Sequence, residues 1–428
     1  MSSPRCASGA LSSPLSLPEN MVHQTIAIRM TNASKASSNN NAMQQLLWMS
    51  RNQAAARWMT ALLTASVLAI VGSLSGCSSA PPAPVDITPT PAASSGPVAG
   101  SIERSKSRWV PASWQELPGV EQDALHEAWP AWLRSCERPA PEWRALCPQL
   151  RQLSEAPTAA RRQWLREKLQ PYRVESQQAE REGLLTAYYE PVLEASRRPQ
   201  GRFNVPLYGP PAGLRKPWFS RQEIDTNPQA RAALRGKELV YLSDPVDAMV
   251  LHIQGSGQVR VSEPDGRVRT VRLAFAGTNE QPYRSIGRWL LDQGYTKDAS
   301  WPGIKAWIVR NPTRVQELLW QNPRYVFFRE EPLPTGEIPG PKGAQGVPLT
   351  AGRSIAVDPG SIPYGTPVWL ASPGPTASLQ RLVLAQDTGT AIVGAVRADY
   401  YAGSGPEAGE LAGRLKQPLR LWVLWPKP

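Results

Sequence analysis

The spacing of apolar residues predicts helices in the first third of the folded chain. Across residues 101–175 apolar positions recur at helical spacing. A second predicted helix begins at Thr158 and stops before Pro171, because proline cannot continue a helix. The clearest apolar face combines Leu125, Trp129, Trp132 and Leu133.

Beyond Leu184 the pattern changes to alternation with period two, which predicts β-strands. The run LLTAYYEPVLEAS begins this part, and Pro191 within it marks the edge or the exit of a strand. Residues 238–277 continue the alternation. We predict strands there, separated by glycine-containing turns at 255–257 and 264–266.

Further along, helices are predicted at 283–293, which Gly294 follows, and across 302–321. Residues 344–428 return to short strands punctuated by glycine and proline. The whole pattern predicts a mainly β protein of the α+β class, with two lobes.

The sequence at the beginning of the chain predicts a secretion signal rather than part of a folded domain. Residues 1–50 have no sustained periodicity and are read as a disordered leader or as the product of an over-long start. Arginines then precede an apolar run that ends at Cys77, which is typical of a secretory signal, so residues 1–76 form a predicted signal region. The alternative starts are Met43, Met49 and Met59.

The end of the apolar run, Leu74–Cys77, resembles the lipobox of bacterial lipoproteins. In such signals the cysteine is lipidated and becomes the first mature residue, and Ser78 after it implies the outer membrane of a Gram-negative bacterium, facing the periplasm. An ordinary secretory or transmembrane segment is the alternative, although the run is short for a span. Residues 77–100 are rich in Pro, Ala and Ser and predict an extended tether.

Export also bears on the cysteines, because the periplasm is oxidising. Cys136 and Cys147 are candidates for a disulfide, worth about 3 kcal/mol in the chain-entropy model. Downstream of Cys77 the only histidines are His126 and His252, which argues against a His-rich metal site. We expect no metal and no cofactor.

The formal net charge of +12 fits either a solvated basic surface or attraction to an acidic polymer. Nucleic acid is not an expected partner of an exported protein, whereas the bacterial cell wall carries carboxylates. The expected partners are therefore the wall and, through a lipid anchor, the outer membrane.

Four stretches in order along the chain resemble the membrane-bound lytic murein transglycosylase A family, over residues from about 115 to 425. The last two resemble its C-terminal three-aspartate (3D) module, whose aspartates are here Asp358, Asp387 and Asp399. The stretches are TAYYEP (186–191), HIQGSG (252–257) with YRSIG (283–287), AVDPGSIPYGTPVWL (356–370) and LAQDTGTAIVGAVRADYYAGSGPEAG (384–409).

This resemblance implies a double-psi β-barrel lobe with flanking helices and an inserted second β domain, with glycan bound in the groove between them. We place the insertion at 191–296. The barrel lobe would then comprise residues 101–190 and 297–428, with the 3D module at about 344–428.

The resemblance also implies cleavage of the β-1,4 bond between N-acetylmuramic acid and N-acetylglucosamine in peptidoglycan, by an exotransglycosylase. The sugar's own 6-hydroxyl attacks and closes a 1,6-anhydro ring, so one carboxyl serves as acid and then as base. The family assigns this role to the position of Asp399, and its apolar neighbours AIVGAV favour a protonated carboxyl. Asp387 and Asp358 would support it.

Other residues are expected to bind the sugar or to let it approach the backbone. They are Thr186, Tyr188, Tyr189, Glu190, Gln254, Ser256, Tyr364, Gly403, Gly405 and Glu407.

Alternative functions remain open at this point. A hydrolase would pair Asp399 with a second carboxylate from Asp358, Asp387 or Glu407, and would leave a reducing end rather than an anhydro sugar. A wall-binding protein would bind without turnover. Asp387-Thr388-Gly389 also spells the aspartic protease signature, but a pepsin-like enzyme needs two such triplets and the chain has one. A cell wall synthesis or hydrolysis complex is a further expected partner.

Overall fold

The computed structural model describes residues 99–215, 217–334, 336 and 338–427. The signal region, Cys77 and nearly all of the tether lie outside these residues. The described residues belong to one compact unit, Ala93–Pro428. In this part of the chain no helix is both long enough and apolar enough to cross a bilayer.

Strands and helices alternate along the chain. The strands are β1 (Ile102–Glu103), β2 (Arg108–Pro111), β3 (Leu169–Glu175), β4 (Gly183–Glu190), β5 (Val192–Ser196), β6 (Val205–Tyr208), β7 (Glu238–Leu242), β8 (Ser256–Ser262), β9 (Val268–Thr278), β10 (Val326–Pro332), β11 (Ser354–Val357), β12 (Pro367–Ser372), β13 (Leu379–Asp387), β14 (Arg397–Ser404) and β15 (Lys416–Pro426). The α-helices are α1 (Leu125–Ser135), α2 (Cys147–Gln152), α3 (Thr158–Lys168), α4 (Arg221–Thr226), α5 (Pro228–Leu234), α6 (Pro245–Gln254), α7 (Ile286–Asp292), α8 (Trp301–Arg310), α9 (Val315–Trp320) and α10 (Gly405–Arg414).

The larger sheet closes into a barrel. Its order is β1-β2-β3-β15-β12-β13-β11-β14-β4, and β4 also pairs with β15, so six strands form a closed ring. The β11–β13 and β14–β4 pairs are parallel, whereas the other pairs of the ring are antiparallel. The mainly β fold with a barrel lobe and flanking helices is confirmed.

Apolar side chains fill the barrel and cover one of its outer faces. Inside, fully buried residues such as Leu185, Ile355 and Val383 pack together. Outside, Trp129 and Trp132 of α1 pack in a cluster with Trp369 of β12, as the helical face predicted. A disulfide between the two candidate cysteines, Cys136 and Cys147, joins the end of α1 to the start of α2.

The second sheet forms the other lobe, in the order β10-β9-β8-β5-β7-β6. Strand β10 pairs with β9 from Val326 to Pro332, so the second lobe continues beyond the expected end at 296. Helices α7, α8 and α9 also contribute to a core that includes Met249 of α6. The chain leaves the barrel at Pro191, between β4 and β5, as the proline indicated.

Two stretches differ from the sequence-based prediction. Residues 245–254, expected within a strand, form α6, because Asp244 caps the helix by accepting a hydrogen bond from the Val246 N–H and Gly255 ends it at φ 79°. The 101–175 region, expected to be helical, also contains β1, β2 and β3. Strand β3 pairs with β2 and with β15, and the local sequence does not reveal the pairing with β15.

Candidate functional site

The site is organised by one face of β4. Thr186, Tyr188 and Glu190 alternate along this strand and therefore point to the same side. Strand β14 runs parallel to β4 and places Asp399 directly opposite Thr186. Residues 213 positions apart in the sequence thus become neighbours.

Asp399 accepts a hydrogen bond on Oδ1 from the Thr186 hydroxyl. The guanidinium of Arg397 donates in turn to the Thr186 hydroxyl oxygen, at 2.7 Å. Burial raises the pKa of Asp399, and the Thr186 hydrogen bond and the Arg397 charge only partly oppose this effect. The residue still keeps partial contact with solvent. It is therefore a carboxyl biased toward its protonated form.

Asp387, at the end of β13, is held on both oxygens. Its Oδ1 accepts from the backbone N–H groups of Ala344 and Thr388, each at 2.9 Å, and its Oδ2 accepts from the Tyr188 hydroxyl at 2.9 Å. Burial is the main cause of its raised pKa, with the negative charge of Asp399 adding to it. Burial and the nearby Asp387 carboxylate raise the pKa of the Tyr188 hydroxyl well above its ordinary value, so Tyr188 stays a donor.

Asp358 joins two loops of the barrel. Its Oδ1 accepts from the Gly360 N–H and its Oδ2 from the Gly394 N–H, each at 2.9 Å, and the side chain is buried. Tyr364, in the same loop, is half-buried beside Thr388, and burial raises the pKa of its hydroxyl. Both carboxylate oxygens of Asp358 are thus used to hold the backbone.

A groove of about 610 Å³ lies between the two lobes. Tyr188, Tyr189 and Asp387 line it from the barrel, whereas Gln254 and Ser256 line it from the second lobe, as the sequence predicted. Asp399 itself does not line the groove, but it pairs with Thr186 on β4, the strand that also carries the groove residue Tyr188.

The groove residues of the second lobe also hold the lobes together. The Gln254 side-chain oxygen accepts a hydrogen bond from the backbone N–H of Tyr189, at 3.0 Å. The Ser256 hydroxyl donates to Glu190 at 3.3 Å. Both side chains therefore fix the end of β4 against the segment where α6 passes into β8.

Glu190 also lines the groove, and its carboxylate is bonded to other side chains of the protein. Its side chain is buried, and Arg272 of β9 binds both carboxylate oxygens at 2.5 and 3.1 Å. Gln258 of β8 and Ser404 of β14 donate at 2.9 and 3.0 Å. With these donors the carboxylate is occupied, and it joins the two lobes.

The glycines and Glu407 follow β14 into α10. Gly403 and Gly405 have φ values of 108° and 86°, which favour glycine, and a Cβ on Gly403 would lie 3.2 Å from the Ala351 Cβ. Glu407 is exposed in the first turn of α10 and is not part of the groove lining.

Some groove residues were missed by the sequence reading. Phe275 of β9 is 49% exposed and presents an aromatic ring in the groove. Four basic residues also line the groove, and no local sequence pattern distinguishes them from other charged residues on the surface. They are Arg138, Arg324, Arg329 and Lys342. Among the described residues, no group of three or more His, Cys, Asp or Glu side chains is placed to hold a metal ion.

Comparison with known proteins gives consistent matches. Residues 184–329 match the MltA specific insert domain, and residues 353–425 match the 3D domain. The membrane-bound lytic murein transglycosylase A of Vibrio cholerae is 35% identical over 254 residues. That match covers 56% of this chain and 65% of the relative, just under two thirds of its length.

Solved structures extend the similarity. A lytic transglycosylase, LtgG, of Burkholderia pseudomallei is 43% identical, with a TM-score of 0.53, and the match covers 78% of this chain and 99% of that one. MltA from Neisseria gonorrhoeae is 31% identical, with a TM-score of 0.63 and coverage of 77% and 96%. The chain belongs to the lytic murein transglycosylase A family. Escherichia coli MltA, solved with bound chitohexaose, is 28% identical, with a TM-score of 0.59 and coverage of 72% and 91%.

Membership of the lytic murein transglycosylase A family confirms the resemblance that the four sequence motifs indicated. The 3D match contains Asp358, Asp387 and Asp399. The insert match ends within β10, in agreement with the strand pairing of the second sheet.

We predict that Asp399→Asn stabilises the fold at neutral pH. The pKa of the Asp399 carboxyl is higher in the folded state than in the unfolded state, where it is about 3.9. Such a carboxyl stabilises the folded state at pH values below about 3.9, and this stabilisation is lost as the pH rises through the folded-state pKa. Asparagine cannot ionise, so the variant should require more urea to unfold at pH 7 than the native protein, and the difference should vanish near pH 3.

Asp265→Asn is the matched control for this experiment, because Asp265 lies on an exposed turn and Arg267 lowers its pKa. This control should gain no stability at pH 7. A gain for Asp399→Asn that is equal at both pH values would contradict the prediction.

We predict that Glu190→Gln strongly destabilises the protein. The change leaves the Arg272 guanidinium buried without its counter-charge, which should lower the free energy of unfolding by about 3–5 kcal/mol. Urea denaturation measures this loss. Glu194→Gln, in the exposed pair with Arg260, should cost at most about 1 kcal/mol. Equal effects of the two changes would disprove the role of Glu190 at the lobe junction.

Proposed function

We propose that this protein is a lytic transglycosylase that cleaves the β-1,4 bond between N-acetylmuramic acid and N-acetylglucosamine in peptidoglycan. The product would carry a 1,6-anhydromuramic end, and no water would be consumed. The protein would serve cell wall turnover.

The observation that supports this proposal is the unequal state of the three aspartates. Asp358 and Asp387 accept hydrogen bonds on both of their carboxylate oxygens. Within the described part of the chain, Asp399 accepts from Thr186 alone, on one oxygen. One carboxyl with a raised pKa is thus left for proton transfer, which suits a reaction that needs a single acid and base.

The proton transfers can be written from the residues present. Protonated Asp399 would donate to the glycosidic oxygen as the bond to the anomeric carbon breaks. The 6-hydroxyl oxygen of the muramic sugar would then attack that carbon, and the Asp399 carboxylate would take the hydroxyl proton. Because the nucleophile is tethered to the reacting ring, proximity supplies much of the rate.

The neighbouring groups would tune Asp399 rather than react. The Thr186 hydroxyl, held by Arg397, would stabilise the carboxylate formed after the first step. Asp387, fixed by Tyr188 and by two backbone N–H groups, would hold the surroundings of Asp399 in place. A hydrolase would need a second free carboxylate near Asp399, whereas Asp358 and Asp387 each accept hydrogen bonds on both oxygens.

The groove suits a glycan chain. Its exposed Phe275 ring can stack on the apolar face of a sugar, and Tyr188, Tyr189 and Ser256 are groove-lining polar residues. The bound chitohexaose of the E. coli relative, a chain of the same linkage and similar sugars, supports this assignment.

We predict that Asp399→Asn abolishes turnover while Asp387→Asn only slows it. Loss of a positioned acid removes typically about 10²–10⁴-fold in rate, whereas a change of one unit in a neighbour's pKa alters about 1.4 kcal/mol. Murein digestion followed by mass analysis of the muropeptides tests both variants. Native products should be lighter by one water than lysozyme-type products.

Asp265→Asn is the control for that assay and should digest murein at the native rate. Native products with reducing ends would indicate the hydrolase instead, and binding without turnover would indicate a wall-binding protein. Near-native cleavage by Asp399→Asn would contradict the proposed acid.

We also infer that Cys77 is lipidated and anchors the protein in the outer membrane, facing the periplasm, where a cell wall synthesis or hydrolysis complex could recruit it. The lipobox and the uncharged tether support this location. Cys77→Ala should release the protein from membranes or leave its signal unprocessed, as fractionation and intact mass would detect. Cys6→Ala is the control, and unchanged fractionation of Cys77→Ala would refute the anchor.

A further inference from the structure

Three cations that line the groove have no partner for their charge. Within the described part of the chain, their side chains neither form an ion pair nor donate a hydrogen bond. They are Arg138, Arg324 and Lys342. The fourth cation of the lining, Arg329, is different, because it donates to the Glu331 carboxylate at 3.0 and 2.7 Å.

The acidic residues of the groove are all bonded to other groups. Glu331 is paired with Arg329, and Glu190 is paired with Arg272. Asp387 accepts hydrogen bonds from two backbone N–H groups and from a tyrosine hydroxyl. None of these carboxylates is therefore available to the three unpaired cations, and an anion from outside the protein could bind them.

Two of the three cations lie on the barrel wall, near the aspartates. Lys342 is exposed and directly precedes Gly343, which is so close to Asp387 that a Cβ on this glycine would lie 3.2 Å from the Asp387 Cβ. Arg138 is exposed beyond the end of α1, and a Cβ on Gly346 would lie 2.6 Å from its guanidinium. Both cations therefore border the loop of residues 343–346, which packs on Asp387.

Arg324 lies on the opposite wall, in the second lobe just before β10. Its side chain is partly buried, and burial lowers the pKa of the guanidinium, an effect that the charge of Glu280 only partly opposes. A partly desolvated cation without a hydrogen-bond acceptor is stabilised when a carboxylate binds to it. Cations thus face the groove from both lobes.

Peptidoglycan carries carboxylates close to the bond that would be cleaved. The stem peptide is attached through a lactyl ether to the 3-oxygen of the muramic ring, and the scissile bond is at C1 of the same ring. The first residues of the peptide therefore lie beside the reacting bond, and the stem has free carboxylates. In the groove, these carboxylates would come near the cations that flank Asp387.

We propose that Arg138, Arg324 and Lys342 bind the carboxylates of the stem peptide, so that the groove prefers glycan that still carries its peptides. The assignment rests on the proposed function, because it takes the substrate to be peptidoglycan. The aromatic and polar groove residues would bind the sugars, and the three cations would recognise the peptide. An amidase that removed the peptide first would therefore leave a glycan that binds more weakly.

Titration calorimetry with two matched ligands tests the proposal, with the Asp399→Asn chain used to prevent turnover. The first ligand is a murein tetrasaccharide with tetrapeptide stems, whose amines are acetylated and whose carboxylates are free. In the second ligand the same carboxylates are converted to methylamides. We expect the first to bind at least about tenfold more tightly, and the preference should shrink as salt is added.

A triple variant removes the three cations, and it should bind both ligands equally while keeping the parent's affinity for the methylamide. It combines Arg138→Gln, Arg324→Gln and Lys342→Gln. The matched control makes the same change in net charge at three exposed residues outside the groove lining, and it should keep the preference. It combines Arg144→Gln, Arg235→Gln and Lys297→Gln.

Equal binding of the two ligands by the parent, or a preference retained in the triple variant, would overturn the proposal. Loss of the preference in the matched control would also overturn it, because net charge would then be the cause. A tetrasaccharide stripped by an amidase keeps only its lactyl carboxylates. If it bound as tightly as the first ligand, the assignment to the peptide would be wrong. A native protein with the preference but without anhydro products would contradict the proposed function alone.

Discussion

The arrangement of the two lobes depends on one buried negative charge. The Glu190 carboxylate is bonded by side chains of β8, β9 and β14, which belong to different sheets. A buried charge is tolerated only when its partners are in place, so this contact permits one arrangement of the strands. It fixes the end of β4, the strand whose same face also carries Thr186 and Tyr188. The positions of Asp399 and Asp387 therefore depend on the contacts of Glu190 at the lobe junction.

The need of a buried charge for partners also distinguishes the three aspartates. Asp358 and Asp387 satisfy both carboxylate oxygens with backbone N–H groups or with a tyrosine hydroxyl, so they hold loops of the barrel in place. Asp399 is buried with less compensation, and its ionisation is disfavoured. The fold thus gives up some stability at the position of the proposed proton donor.

Sequence reasoning succeeded where a feature is determined by contacts between residues close in the chain. It also succeeded where a family motif indicated a fold whose contacts join residues far apart in the chain. Alternation along β4, the apolar face of α1 and the exit at Pro191 are properties of a few consecutive residues. Helix α6 was missed, although its Asp-Pro start and Gly255 end are local signals, because the turn residues were read as strand punctuation. The junction role of Glu190 was not predictable, since its partner Arg272 lies 82 positions away and is one of many arginines.

The barrel is built from the two ends of the described chain, because its six ring strands precede or follow the second lobe. During synthesis β4 therefore emerges long before β14 and β15, while the second lobe already holds its own strands from β5 to β10. An unpaired strand edge invites association with other chains, and such distant pairings form slowly. Newly made molecules would thus pass through a state with a finished second lobe and an open barrel. In that interval chaperones and proteases would compete for the chain, which makes its final yield sensitive to their levels.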